Sequence, residues 1–495
     1  MYLMRLQRKS RKLYNGEITV YLCLTMTVII SFVLASVAAA RGAVLQVMFE
    51  CGVESSLCSV FGEFDRELLE EYDVFFIDMS YLSNSPDSLS LEARMNMYLE
   101  DNMKPQKGTK MLFASDFTDV SVTNVSLNNY VLATDMYGKP FRDQAIEYMK
   151  DLVELDELEN VTDVIAVQDS YSISRDSFDK EIERFNDDLG RQRTEDWETT
   201  TVSDFKLSPI RIDSFIGDLT GQGGIIPSNE NVVLSDCVSY RTTLDQYDDI
   251  EYLVDPNPIN NLIFDEYILA KLSNYTNPKS ASKLTYATEY VIFGMPGDRE
   301  NMEDIISALF GIRAMSNYVS LNMSNTKKEE INIVAEIIGA LIKAPPELVA
   351  QLLMITWAAL EAASDVRILL NGGKEALIKD ADDFRVSLNG LASGQLFLQD
   401  NEAQTDYPAI IQDEELDKLS IQLSYEDYLR VFLWMIPTGI RTLRTMDMIE
   451  QNLRFGLSGE NTYFCFDACT DEIEITASVE TGYDYRFLTQ KKYSY

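Results

Sequence analysis

Between Glu17 and Arg41 the chain runs for 23 residues, Ile18 to Ala40, without a charged side chain. As an α-helix rising 1.5 Å per residue, this run is about 34 Å long, enough to cross the hydrocarbon core of a bilayer. Arg5, Arg8, Lys9, Arg11 and Lys12 precede it, and basic flanks stay on the cytoplasmic side of a membrane. Removing residues 1–40 takes away five bases and one acid, leaving 37 bases against 79 acids. The acidity therefore belongs to the chain beyond residue 40. The expectation is a single-pass protein of the cell membrane, with its N-terminus in the cytoplasm and its ectodomain extracellular.

Three treatments of this segment are open. Ala38-Ala39-Ala40 offers small residues for a cleavable secretory signal. An uncleaved anchor is the second. The third is a pilin-like leader, in which the basic stretch ends at Gly16, the candidate leader-processing position. No proline occurs between Met1 and Ser85, and Val44, Val47, Met48, Cys51, Cys58, Phe61 and Leu68 continue one helical stripe. That continuity favours an uncleaved helix from Glu17 to Tyr72, on the order of 80 Å long. Gly42, Gly52 and Gly62 are the places where it would break. The next apolar run, Leu348–Leu360, has 13 residues and contains Gln351, which suits a buried core helix rather than a second span.

The remaining patterning predicts an α+β fold. Asp73–Asp78 reads as a short buried strand, Leu91–Met103 as a helix, Val120–Leu132 as a half-exposed strand and Pro140–Leu158 as a helix. Val161–Val167 and Val232–Tyr240 read as strands, and Arg175–Glu198 as a solvated helix or loop. From Asn261 the pattern turns helical, with Asp298 as a cap, a break at Pro345-Pro346, an end at Asn371-Gly372-Gly373 and a capping box at Ser424 and Asp427. Phe397–Lys418 reads as an acidic loop, and Tyr463–Tyr495 as strands. The expected order is a basic tail (1–16), a transmembrane helix (17–40), a helical stalk (41–73), an α+β lobe (74–260), a mainly helical lobe (261–455) and a C-terminal β segment (456–495).

Composition removes several chemistries. The chain has no histidine, which eliminates Ser-His and Cys-His nucleophile pairs and most catalytic zinc sites. A net charge of −38 repels nucleic acid, so no such partner is expected. Gly221-Gln-Gly-Gly224 lacks the lysine of a phosphate loop. Asp78-Met-Ser-Tyr-Leu-Ser83 and Asp169-Ser-Tyr-Ser172 miss the Asp-x-Ser-x-Ser spacing of a metal-dependent adhesion site. Asp447 and Glu450 lie one helical turn apart, and surface pairing with Arg444 and Arg454 accounts for both. Asp365 and Arg367, beside an apolar helix, read as a structural polar contact. No catalytic residue, cofactor or metal site is expected.

Several stretches together resemble a family of membrane-anchored proteins of Gram-positive gut bacteria, encoded beside tight-adherence (Tad-type) pilus genes. They are Gly16-Glu-Ile-Thr-Val-Tyr21, Ser59–Tyr72, Leu284–Tyr290, Gly311-Ile-Arg-Ala-Met-Ser-Asn317, Trp357–Asp365 and Arg444–Glu450. The resemblance implies a pilin-like or pilus-associated surface role and carries no catalytic residues. Cleavage after Gly16 would put Tyr21 at the fifth mature position, where ordinary type IV pilins keep a glutamate.

The expected function is thus structural, with the lipid bilayer as one partner and pilus subunits or self-association as the other. An adhesin unrelated to a fibre is the alternative, and a carboxylate-dependent cell-wall hydrolase ranks last. Cys51 and Cys58 are seven apart, about 10 Å along a helix, too far to bond each other. The expectation is that at least one bonds Cys465 or Cys469, leaving Cys237 unpaired. The competing possibility is that all the cysteines outside the membrane are reduced and buried.

Overall fold

The computed structural model describes residues 7–81, 86–103, 120–153, 155–191, 228–241, 254–280, 282–388, 421–456, 461–482 and 485–495. Gly221–Gly224 and the loop Phe397–Lys418 fall outside these. The fold is α+β. By internal contacts the chain divides into two units interleaved in sequence. Unit 1 comprises Met1–Arg66, Phe75–Leu132 and Ala468–Tyr495, and unit 2 comprises Glu67–Val74 and Ala133–Asp467.

Unit 1 is built on one helix, Gln7–Phe61. Its spacing of four, four and three places Phe49, Val53, Leu57 and Val60 on a single face, and all four are buried. Leu91, Met95, Leu99 and Met103 do the same for the Ser88–Met103 helix. Both helices belong to one core with the inner face of an antiparallel sheet. The sheet's strands are β1 (Ile77–Asp78), β2 (Val120–Leu132), β3 (Cys469–Thr481) and β4 (Arg486–Ser494). Strand β3 is central: β2 pairs with it from Val120↔Thr481 to Leu132↔Thr470, while β4 and β1 pair with Glu472–Glu480 and with Cys469 and Thr470. Its alternation, Ile473, Ile475, Ala477 and Val479 inward with Glu474, Thr476 and Ser478 between, is the period of two that a half-buried strand requires. Each buried isoleucine or valine here contributes roughly 1.5–3 kcal/mol, and Ala477 correspondingly less.

Unit 2 is mainly helical. The Asp298–Met323 helix packs on Pro346–Leu370, and Asn325–Ile342 packs on the latter too. The Thr438–Arg454 helix packs against Asp135–Met149 and Ala287–Phe293. Ser424 and Asp427 close a reciprocal capping box on Tyr425–Trp434. Gly294 ends the Ala287–Phe293 helix at φ 72°, and a Cβ there would fall 2.6 Å from the Arg444 guanidinium. Only glycine leaves room for Arg444 to donate to the terminal carbonyls of Val291 (3.0 Å) and Ile292 (2.7 Å).

Several sequence expectations need correction. The long helix stops at Phe61, and Gly62 separates it from a second helix, Arg66–Tyr72. Val161–Val167 is not a strand but part of the Leu155–Ser170 helix, in which Val161, Val164 and Val167 share a buried face at helical spacing. Val232–Tyr240 is not a strand either: an isolated bridge at Asn231 precedes it, and a 3-10 turn at Leu234–Asp236 and a short helix, Val238–Arg241, follow. The solvated reading of Arg175–Glu198 fails through residue 191, because the Arg175–Arg191 helix buries Phe178, Ile182 and Phe185. The expected Pro140–Leu158 helix ends at Met149. Asp298 is the first helical residue and not the cap; its carboxylate accepts from the Thr285 and Tyr286 amides.

Candidate functional site

The first candidate surface is the helix that begins unit 1. From Ile18 it is long and apolar enough to cross a membrane, with a mean hydropathy of 2.4 in its most apolar window and none of that window buried. Ile18, Leu22, Leu24, Val28, Phe32, Leu34 and Val37 all lie open. Its few polar groups are consumed internally: Thr25, Thr27, Ser31 and Ser36 donate to the carbonyls of Leu22, Leu24, Val28 and Phe32 at 2.8–3.0 Å. Such back-bonding is what apolar surroundings demand of a hydroxyl. Burial begins at Leu45. Just before it, Tyr485 of the β3–β4 turn donates to the Ala38 carbonyl at 3.2 Å. Gly16 lies inside the same helix.

Unit 2 holds several buried ion pairs, Arg441 with Asp265 at 2.7 Å among them, and two larger ionic clusters. In the first, Asp365 accepts from Arg313 (2.9 and 3.1 Å) and Asn317 (2.9 Å) on one oxygen and from Lys379 (2.6 Å) and Arg385 (3.2 Å) on the other. Lys379 also pairs with Glu361, and Arg385 with Glu375 at 2.5 Å. Arg313 reaches the carbonyls of Ala376 (2.6 Å) and Leu377 (3.0 Å). Burial would raise the Asp365 carboxyl, but Arg313 and Lys379 outweigh it and hold it at about 2. Glu375 is pushed up, chiefly by burial and then by Asp365. Both oxygens of Asp365 are occupied by protein donors, so this carboxylate is spent on fixing helices. Sequence reading found Asp365 as a structural contact. Its supposed companion Arg367 is exposed, and the true partners lie 52 and 14 residues away. A lone charge inside an apolar stretch, as at Arg313 and Glu361, was the usable signal.

The second cluster corrects the surface reading of Asp447 and Glu450, both fully buried. Asp447 accepts from the Ser239 amide (2.8 Å) and hydroxyl (2.5 Å) and from Tyr290 (2.9 Å), and burial raises it to about 6. Arg444 does not pair with it but serves the carbonyls of Val291 and Ile292. Glu450 takes both Arg241 amino groups at 2.8 Å and Arg454 at 2.8 Å.

All six cysteines are thiols, so the expected stalk-to-tail disulfide is absent from the structure. Cys51 and Cys58 sit on the open side of their helix, away from the face that packs. Cys58 donates to Tyr493 at 3.7 Å. Cys469 is buried in β3 opposite Asp78. Burial lifts Cys237 to about 12 and Cys465 to about 11, which removes their thiolate character. Among the described residues no group of three or more Cys, Asp or Glu side chains could hold a metal ion.

An α+β protein with a long, exposed, apolar N-terminal helix is the class these features define. The chain belongs to DUF5702, a family of unknown function, which it matches over residues 218–481, just over half its length and including both ionic clusters. No curated protein and no solved structure matches it.

Proposed function

We propose that this is a membrane-anchored, extracytoplasmic structural protein, a minor pilin-like or pilus-associated surface subunit. The observation that carries the reading is the N-terminal helix. Its first part is apolar and open, and its later part, unbroken, forms the core of unit 1 with an antiparallel sheet. Such a helix can leave the bilayer for the apolar centre of a fibre without disturbing the packing around Phe49–Val60. The basic residues before Ile18 support a cytoplasmic N-terminus. The tight-adherence resemblance supports the setting. The saturation of Asp365 and Glu450 by protein donors supports a role without hydrolytic chemistry.

The test is site-specific photo-crosslinking from position 32 of the full chain in its native membrane. Crosslinks to the apolar helices of other chains, its own copies or pilus subunits, are expected. Adducts to lipid alone would replace the fibre reading with that of a simple anchored adhesin.

A further inference from the structure

Beyond its apolar run, the Gln7–Phe61 helix turns one face into the core of unit 1 and leaves the other open. Leu45, Phe49, Val53 and Val60 are buried, whereas Val44, Val47, Cys51 and Cys58, on the opposite side, are exposed. The open side repeats every seventh residue, and the repeat runs back through the apolar run: Cys23, Ile30, Val37, Val44, Cys51 and Cys58. All six are exposed. Between them Met26, Val33, Ala40 and Val47, also exposed, keep the alternate spacing of three and four. These are the a and d positions of a heptad stripe about 53 Å long. Glu54 takes the last d position, and Lys491 neutralises it at 2.8 Å.

A seven-residue repeat drifts around a straight helix by about 20° per heptad, and a left-handed supercoil with a second helix removes the drift. The β-branched Ile30, Val37 and Val44 at a favour two strands. Copies anchored in one bilayer by the same segment cross it in the same direction. Their helices therefore meet in parallel, with each residue opposite its own counterpart.

The cysteines add a chemical argument. Cys51 lies eleven residues past Ala40, about 17 Å along the helix, on the side where disulfides persist. It is about 10 Å from Cys58, too far to bridge, and Cys237, Cys465 and Cys469 are buried. With axes about 10 Å apart and each Cα about 2.3 Å from its axis, facing a-position Cα atoms come to about 5 Å. That separation suits a disulfide. Cys58 already donates to Tyr493, so Cys51 is the freer thiol. Charge opposes the pairing, since 37 bases against 79 acids beyond residue 40 make the copies repel. A covalent tie answers that repulsion.

We propose that the chain pairs with a second copy of itself along this stripe, as a parallel two-helix coil locked by a disulfide between the two Cys51 residues. Two S–H bonds break and one S–S bond forms. The two electrons and two protons pass to the disulfide of a thiol oxidoreductase, which is left as a dithiol. The proposal rests on the anchored reading above and narrows its helix contacts to one face and one partner.

The test co-expresses two differently tagged full-length copies, alkylates the washed native membranes and separates the proteins without reductant. A dimer of about twice 56.3 kDa that carries both tags is expected, collapsing to monomer with dithiothreitol. Cys51→Ser should remove it, whereas Cys23→Ser and Cys58→Ser should leave it. Membranes that hold only monomer, with Cys51 alkylated, overturn the proposal and leave the anchored reading standing. Chain released by an alkaline wash overturns both. Cys51 joined to a different protein overturns the second copy as partner, and a dimer that survives Cys51→Ser overturns the role of that thiol. The face is tested separately by placing single cysteines in the Cys23→Ser, Cys51→Ser, Cys58→Ser chain and oxidising with copper–phenanthroline. Val44→Cys and Val47→Cys should cross-link about tenfold faster than Gln46→Cys, which is exposed off the stripe, because held geometry outruns collision. Equal rates at all three positions overturn the coil.

Discussion

The two units solve the same problem, burying enough surface to hold a fold, with different materials. Among the described residues, unit 1 buries aliphatic and aromatic side chains with hydroxyls as its only buried polar groups, such as Ser56 and Thr470. Unit 2 buries complete ion pairs, with Arg313, Glu361, Asp365, Arg441 and Glu450 at 1% exposure or less. An apolar core fails in proportion to lost volume. A buried ionic core fails when one partner is removed, because the remaining charge has no water to turn to. The units should therefore respond differently to the same perturbations, and they can be read separately. Trp357 and Trp434 lie in unit 2, so in a Trp197→Phe background tryptophan fluorescence reports that unit, while hydrogen exchange in β3 reports unit 1.

The sharpest break should come from Asp365→Ala. It leaves Arg313 and Lys379 buried without their shared acceptor, at a cost of about 3–5 kcal/mol. Denaturant unfolding followed by tryptophan fluorescence should show the loss, with β3 exchange little changed. A loss under about 1 kcal/mol would mean that water reaches the cluster. The mirror experiment, Leu57→Ala, should cost unit 1 about 2–5 kcal/mol and speed β3 exchange while the tryptophan transition stays in place.

Acidity separates the units next. Burial raises Glu289 to about 7, with Tyr425 and the Tyr275 amide as its donors, and Asp447 to about 6. A carboxyl raised on folding stabilises the fold while protonated, below its unfolded value near 4, and that contribution is lost as pH rises through 6 and 7. Asp365, held at about 2, has the opposite sign: its contribution is present above an unfolded value near 4 and disappears as pH falls toward 2. The tryptophan-detected melting temperature should thus peak near pH 4–5, decline toward pH 8 and fall sharply below pH 3. A flat profile from pH 5 to 8 would show that these carboxyls are already solvated. The smallest effect belongs to the capping box. Ser424→Ala should cost unit 2 about 1 kcal/mol, and no shift at all in the tryptophan transition would mean that the helix start is held by packing alone.

The sequence was most legible where periodicity and burial agreed. The open N-terminal helix, the stripe at Leu91–Met103, the alternation in β3 and the Ser424 box all follow from local spacing. It misled where local composition served two masters. Val161–Val167 is rich in β-branched residues, yet its apolar positions also fit a helix face, and the surrounding helices decided the outcome. The ionic clusters were hidden for a different reason. Asp365 and Asp447 looked like partners of neighbouring arginines, whereas their real partners arrive from distant segments. Gln168, buried with its Nε2 unpartnered, carries no signal at all in one dimension, since an unpaired amide exists only once its neighbours are in place.

The order of the strands bears on how the protein is made. Strand β3 pairs with every other strand of its sheet, yet the ribosome reaches it only after the whole of residues 133–467. Unit 2 can mature almost entirely as it emerges, whereas the sheet of unit 1 must wait with β2 and the inner face of the long helix uncovered. Closing it means joining segments some 350 residues apart, as between Ser126 and Thr476, a slow kind of contact to form. During that interval Phe49, Val53 and Leu57 are exposed to whatever else binds apolar surface, so a chaperone or a neighbouring chain has its opening then, before the last strands arrive.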